Sequence, residues 1–94
     1  MRICGATPSD KSITSLSGSS QSALAANPQR QLLVIQNTGN ANVGINLVGG
    51  TAAIAGTGTI TLAPQGSMTF DITIPLGAVN VIGTAGQPLL VLEG

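Results

Sequence analysis

Thr59-Ile60-Thr61-Leu62-Ala63-Pro64-Gln65-Gly66-Ser67-Met68-Thr69-Phe70-Asp71-Ile72-Thr73-Ile74 decides the fold class. Both halves alternate apolar with polar residues, the period of a strand that keeps one face on a core. Between them Ala63-Pro64-Gln65-Gly66 reads as a turn, with proline presetting φ and glycine free to take φ > 0. The expectation is two alternating strands joined as a hairpin, with Met68, Phe70 and Ile72 inward and Thr69, Asp71 and Thr73 outward. Working outward, Val43-Gly44-Ile45-Asn46-Leu47 alternates as well. Helix is disfavoured throughout, because β-branched residues dominate and glycine or proline recurs every few positions.

Two runs break the alternation. Leu32-Leu33-Val34-Ile35 and Leu89-Leu90-Val91-Leu92 are apolar on both faces. A strand of a sheet with one wet side would leave a greasy stripe in water, so these runs need cover on both sides. A subunit interface is the simplest cover for the outer side, with Leu33, Ile35, Leu90 and Leu92 as candidate contacts. A long loop or the N-terminal segment of the same chain is the other candidate cover.

Strands near 22–26, 31–37, 43–48, 58–63, 67–74, 78–83 and 88–93 make seven at short spacing, the signature of an all-β sandwich or jelly-roll-like barrel. Ile, Leu and Val build its core, with Met68 and Phe70 as the bulkiest fillers. No spacing suits a βαβ unit. Gly56-Thr57-Gly58-Thr59-Ile60-Thr61 resembles the Thr ladders of β-solenoids, but no fixed repeat extends beyond it.

Residues 1–20 differ from the remainder. Six serines fall between Ser9 and Ser20, and the main apolar residues after Ile3 are Ile13 and Leu16. Such a stretch buries too little to order itself, so it reads as a flexible N-terminal arm before a sandwich domain over 21–94. Ordered against a neighbour, it would use Ile13 and Leu16 as anchors.

Composition excludes several function classes. The 94 residues hold three Lys+Arg, three Asp+Glu, no His, no Trp, no Tyr and one Phe. Three scattered cations cannot neutralise a nucleic-acid backbone. Without histidine there is no ready acid or base near neutral pH and no imidazole metal ligand. No apolar run reaches the roughly 18 residues of a membrane span. Nucleophilic catalysis needs an activated Ser, Thr or Cys beside a base, and the serines sit mostly in the arm. The glycine pairs lack the Gly-Lys-Ser/Thr of a phosphate loop. The expectation is a protein that is not an enzyme and takes no cofactor, metal or small-molecule substrate. A net charge of zero removes the self-repulsion that keeps isolated proteins soluble, which favours assembly with copies of itself. Cys4 is the only cysteine, so no intramolecular disulfide exists and synthesis in a reducing cytoplasm is expected. Its thiol reads as inert, with a bridge between subunits as the alternative. Of the remaining charges, Asp71 is either a solvated outer-face residue or a partner for Arg30, across a subunit boundary in the sharper reading. Glu93 is the other candidate partner, since a carboxylate fits the guanidinium fork.

Asn27-Pro28-Gln29-Arg30-Gln31-Leu32-Leu33-Val34-Ile35-Gln36-Asn37-Thr38-Gly39 resembles small β-proteins of tailed-bacteriophage virions, in particular the decoration or cement proteins of the head surface. The likeness continues through the Leu62–Ser67 turn, Pro75-Leu76-Gly77-Ala78-Val79, Val81-Ile82-Gly83 and Val91-Leu92-Glu93-Gly94, covering about residues 22–94. The resemblance implies a sandwich or jelly-roll subunit, a homotrimer on the capsid surface of the virion, made in the host bacterial cytoplasm. It implies the major capsid protein as partner. The alternative is a fibre or tail module that recognises a host surface glycan or protein. Scarce aromatic residues weigh against it, because sugar sites and protein hot spots lean on aromatic anchors. A self-assembling structural protein unrelated to phage is a third reading.

Overall fold

The computed structural model describes residues 8–54 and 56–94. The described residues form eight strands and no helix: β1 Ser9–Asp10, β2 Gln21–Leu24, β3 Leu33–Gln36, β4 Val43–Asn46, β5 Thr59–Leu62, β6 Ser67–Phe70, β7 Val79–Gly83 and β8 Leu90–Glu93. They make two four-stranded antiparallel sheets, β1-β8-β3-β6 and β2-β7-β4-β5. This order is that of a jelly roll, the eight-stranded double Greek key. The expected all-β sandwich is therefore the fold. Leu33, Ile35, Leu89 and Val91 from the first sheet share one core with Val43, Ile45, Leu62, Val79 and Val81 from the second. Met68 and Phe70 pack against its margin, only partly buried.

The stretch that decides the fold class is not a hairpin. β5 pairs with β4 in one sheet and β6 with β3 in the other, so the turn between them crosses the sandwich. Asn37 is the cause. It is fully buried, and its Nδ2 donates to the Ala41 carbonyl at 2.7 Å and the Leu62 carbonyl at 3.0 Å. Its own backbone bonds Gly66 and Gln65, which aims the chain at β3 instead of back along β5. The turn closes through Gly66 N–H to the Ala63 carbonyl, and the left-handed residue in it is Gln65 (φ 69°), not the expected glycine. Replacing Asn37 by alanine strands two buried carbonyls and the Gly39 N–H that bonds its Oδ1. A loss of about 2–3 kcal/mol is expected in urea melts.

The segment expected as a flexible arm supplies the eighth strand. Its first seven residues, with Ile3 and Cys4, lie outside the described residues. From Ser9 the chain runs antiparallel to β8, with Lys11 N–H donating to Val91 and Ile13 exchanging two backbone bonds with Leu89. Leu16 then enters the core and is 2% exposed. A Cβ on Gly83 would stand 2.6 Å from Leu16 Cδ1, so the absent side chain of one residue is the socket for the other. Serine content misled the reading because two aliphatic residues, backed by a central strand with a free edge, suffice to dock the segment.

The two doubly apolar runs resolve by face. Leu33 and Ile35 point inward and are fully buried, while Leu32, Val34, Leu90 and Leu92 lie on the outer face of the first sheet, partly exposed. There Leu92 stands opposite Val34 across the β3–β8 ladder. The second sheet's outer face is covered by the chain itself, through residues 47–53. Asn46, buried, accepts from the Val48 and Gly50 N–H groups at 3.0 Å and turns this loop back over the sheet. Asn80 Nδ2 holds the Gly50 carbonyl at 2.7 Å, and Ser20 Oγ accepts from Ala52 N–H at 2.9 Å. Gly44 lies beneath; a Cβ there would meet Thr59 Cγ2 at 2.9 Å and Ile82 Cγ2 at 3.1 Å.

Candidate docking end

Asn27-Pro28-Gln29-Arg30 links β2 to β3 at one end of the sandwich. Asn27 Oδ1 accepts from Gln29 N–H at 3.0 Å and its carbonyl from Arg30 N–H at 3.1 Å, an Asx-turn set on a tight turn. That geometry sends the Arg30 side chain inward, where the residue is 3% exposed. Nε donates to Glu93 Oε2 at 2.8 Å. Nη1 donates to the carbonyls of Pro75 and Gly77, and Nη2 to that of Ala25 at 2.9 Å. Four of the five guanidinium N–H donors are thus used, and Asn27 Nδ2 reaches the same Glu93 oxygen at 3.4 Å. Glu93 ends β8 in the first sheet, while Ala25 follows β2 and Gly77 precedes β7 in the second. Arg30 is therefore a clip that ties the two sheets together at this end.

The clip also fixes what surrounds it. The register of β4 with β7 puts the start of β7, the end of β4 and the start of β5 at the same end as Arg30. The 47–58 loop and the 71–78 connection emerge there. The large apolar side chains exposed on the described surface are Val48 (78%), Ile54, Ile60, Ile72 (91%) and Leu76. All five belong to these two connections or to the first two residues of β5. Ile72 was expected inside; β6 instead stops at Phe70, because Arg30 draws the Pro75 and Gly77 carbonyls away from the sheet line. With Arg30 and Glu93 neutralising each other, Asp71 is the one unpaired charge on these connections.

The opposite end has another character. Its connections are Asn37–Asn42, Ala63–Gly66 and Thr84–Leu89, together with the serine-rich stretch after Ile13. Their exposed residues are mostly Ser, Thr, Asn, Gln and Gly, and Gln87 Oε1 bonds the Asn40 N–H at 3.0 Å. The molecule, 38 × 23 × 18 Å, is aliphatic at one tip and polar at the other.

The candidate contact residues separate accordingly. Leu16, Leu33 and Ile35 are core and present nothing to a neighbour. Ile13 is half-buried against Leu89, and Leu90 and Leu92 lie on the outer face. Arg30 and Glu93 pair within the chain instead of across a boundary; Asp71 is exposed just past β6 and makes no bond to Arg30. Exposed Asp10 accepts from the Ser12 hydroxyl and N–H, which hold its carboxyl below the usual range. No three His, Cys, Asp or Glu side chains gather among the described residues. Val48, Ile60, Ile72 and Leu76 escaped the sequence reading; the pointer was Pro75, which cannot continue an inner strand. No family model, curated protein or solved structure matches the chain.

Proposed function

We propose that this protein is a non-catalytic structural component of a tailed-phage virion, a decoration or cement protein that binds the head surface and stabilises contacts between major capsid subunits. The observation that carries this reading is the aliphatic end: Val48, Ile60, Ile72 and Leu76 around a cross-braced base, bearing little charge. Exposed aliphatic residues on a braced scaffold favour docking onto an apolar surface, since little ordering entropy is lost on contact. The polar tip then faces solvent. The protein acts as a homotrimer, and repetition by symmetry multiplies a small contact into avidity.

Heads lacking the protein should withstand heat and urea less well than heads to which it is added back. Equal resistance removes the clamp, and binding to host cells in place of empty heads would move the protein to a fibre or tail. Ile72→Asp combined with Leu76→Asp should weaken head binding more than tenfold, because burying each aliphatic chain contributes about 1.5–3 kcal/mol. Both side chains are exposed, so the melting temperature should stay within about 2 °C of the parent.

A further inference from the structure

Pro8, the first described residue, lies at a corner of the first sheet. A Cβ on Gly94 would stand 3.2 Å from Leu32 Cβ and 3.8 Å from Pro8 Cα, so the chain before Pro8 sets out beside Leu32. Leu32, Val34, Leu90 and Leu92 make the outer face here, all partly exposed. Carboxylates flank it on both sides. Asp10 stands opposite Leu92 on β1, and Asp71 follows Phe70, the partner of Leu33, which puts it level with Leu32 beyond β3. Both are exposed. Neither described cation answers them. Arg30 is held by Glu93, and Lys11 alternates to the side of Ile13, which packs against the core. The chain's third cation is Arg2, with Ile3 beside it. The stretch before Pro8 thus carries the charge and the apolar side chain that complement this face.

We propose that this outer face is the docking site of residues 1–7 of the same chain, with Ile3 laid on Leu32 and Val34 and Arg2 beside Asp71. Length permits it. Neighbouring strands of β1-β8-β3-β6 stand about 4.8 Å apart, so β6 lies about 14 Å from Pro8, while seven extended residues reach about 23 Å. Gly5 supplies the bend that turns the chain from the line of β1 onto the face. A tether this short holds its own segment at an effective concentration in the millimolar range, which a second copy in dilute solution does not match. The outer side of the doubly apolar runs is thereby covered within one chain. The contact holds whether or not the protein binds a phage head.

Cys4, the chain's own thiol, reports the contact in the purified full-length protein with no heads present. Val34→Cys places a second thiol on the face. Oxidation with copper phenanthroline at about 10 μM protein, far below the tethered concentration, should join it to Cys4 within one chain. Thr84→Cys, at the polar tip, is the control and should close at least about tenfold more slowly. Arg2→Glu in the Val34→Cys chain should slow closure at least about threefold, and adding Asp71→Lys should restore it, since the charges then attract again. Circular dichroism matching the parent shows that each variant is folded. Equal closure for the Val34 and Thr84 variants, or none for the first, overturns the inference. So does a disulfide formed only between chains, which would assign the face to a second copy. Failure of Asp71→Lys to rescue Arg2→Glu overturns the seating of Arg2 beside Asp71.

Discussion

Arg30→Ala should be among the most destabilising single substitutions in this protein, costing about 3–5 kcal/mol in urea or thermal unfolding. Three carbonyls and the Glu93 carboxylate lose their donor in a place where water does not replace it. In a domain of this size each kcal/mol shifts the melting temperature by about 4–8 °C, so a fall of at least about 12 °C follows. Arg30→Lys keeps the charge but has no planar fork, and one ammonium cannot span acceptors from both sheets; it should recover less than half of the loss. Glu93→Gln retains an acceptor and should cost less, about 1–3 kcal/mol. A loss below about 1 kcal/mol for Arg30→Ala would mean that the sheets are held at this end by packing alone.

The second large effect is a coupling. Leu16→Ala should cost about 2–5 kcal/mol, the range for emptying a buried leucine site. Gly83→Ala puts a methyl into Leu16 Cδ1 and should cost about 1–3 kcal/mol by overcrowding. Together they should cost clearly less than the sum, since the new methyl enters the space the leucine leaves. Additive losses in a double-mutant cycle would show that Leu16 docks without Gly83. This pair also decides whether the serine-rich segment belongs to the folded unit.

The class of fold was legible because alternation at period two depends only on which face of a strand meets the core. Thr59–Leu62 was found within a residue of its true bounds on that basis, whereas the strand expected over 67–74 ends four residues earlier, at Phe70. Their partners were not legible: a proline-containing turn joins strands equally well within one sheet or across two. The choice was made by Asn37, 26 residues before Ala63 in the chain, through bonds that no local pattern announces. Leu16 was hidden for a related reason. A lone aliphatic residue among serines has no period, and its socket, Gly83, looks like any other glycine until the two are brought together. Arg30 and Glu93 were correctly suspected of pairing, because a carboxylate suits the fork. Sequence gave no sign that both belonged inside one sandwich, where the remaining donors meet backbone carbonyls.

The middle of the first sheet is built from a strand that leaves the ribosome last in this domain. β8 separates β1 from β3, so until Leu90–Glu93 has emerged the earlier strands of that sheet have no neighbour between them, and Arg30 has no carboxylate. Pairings this remote along the chain are slow to form, because the intervening loop must be closed before any contact rewards it. The nascent polypeptide should therefore stay protease-sensitive until Leu90–Glu93 has emerged and acquire resistance abruptly only then, with truncation before Leu90 leaving no folded product to detect.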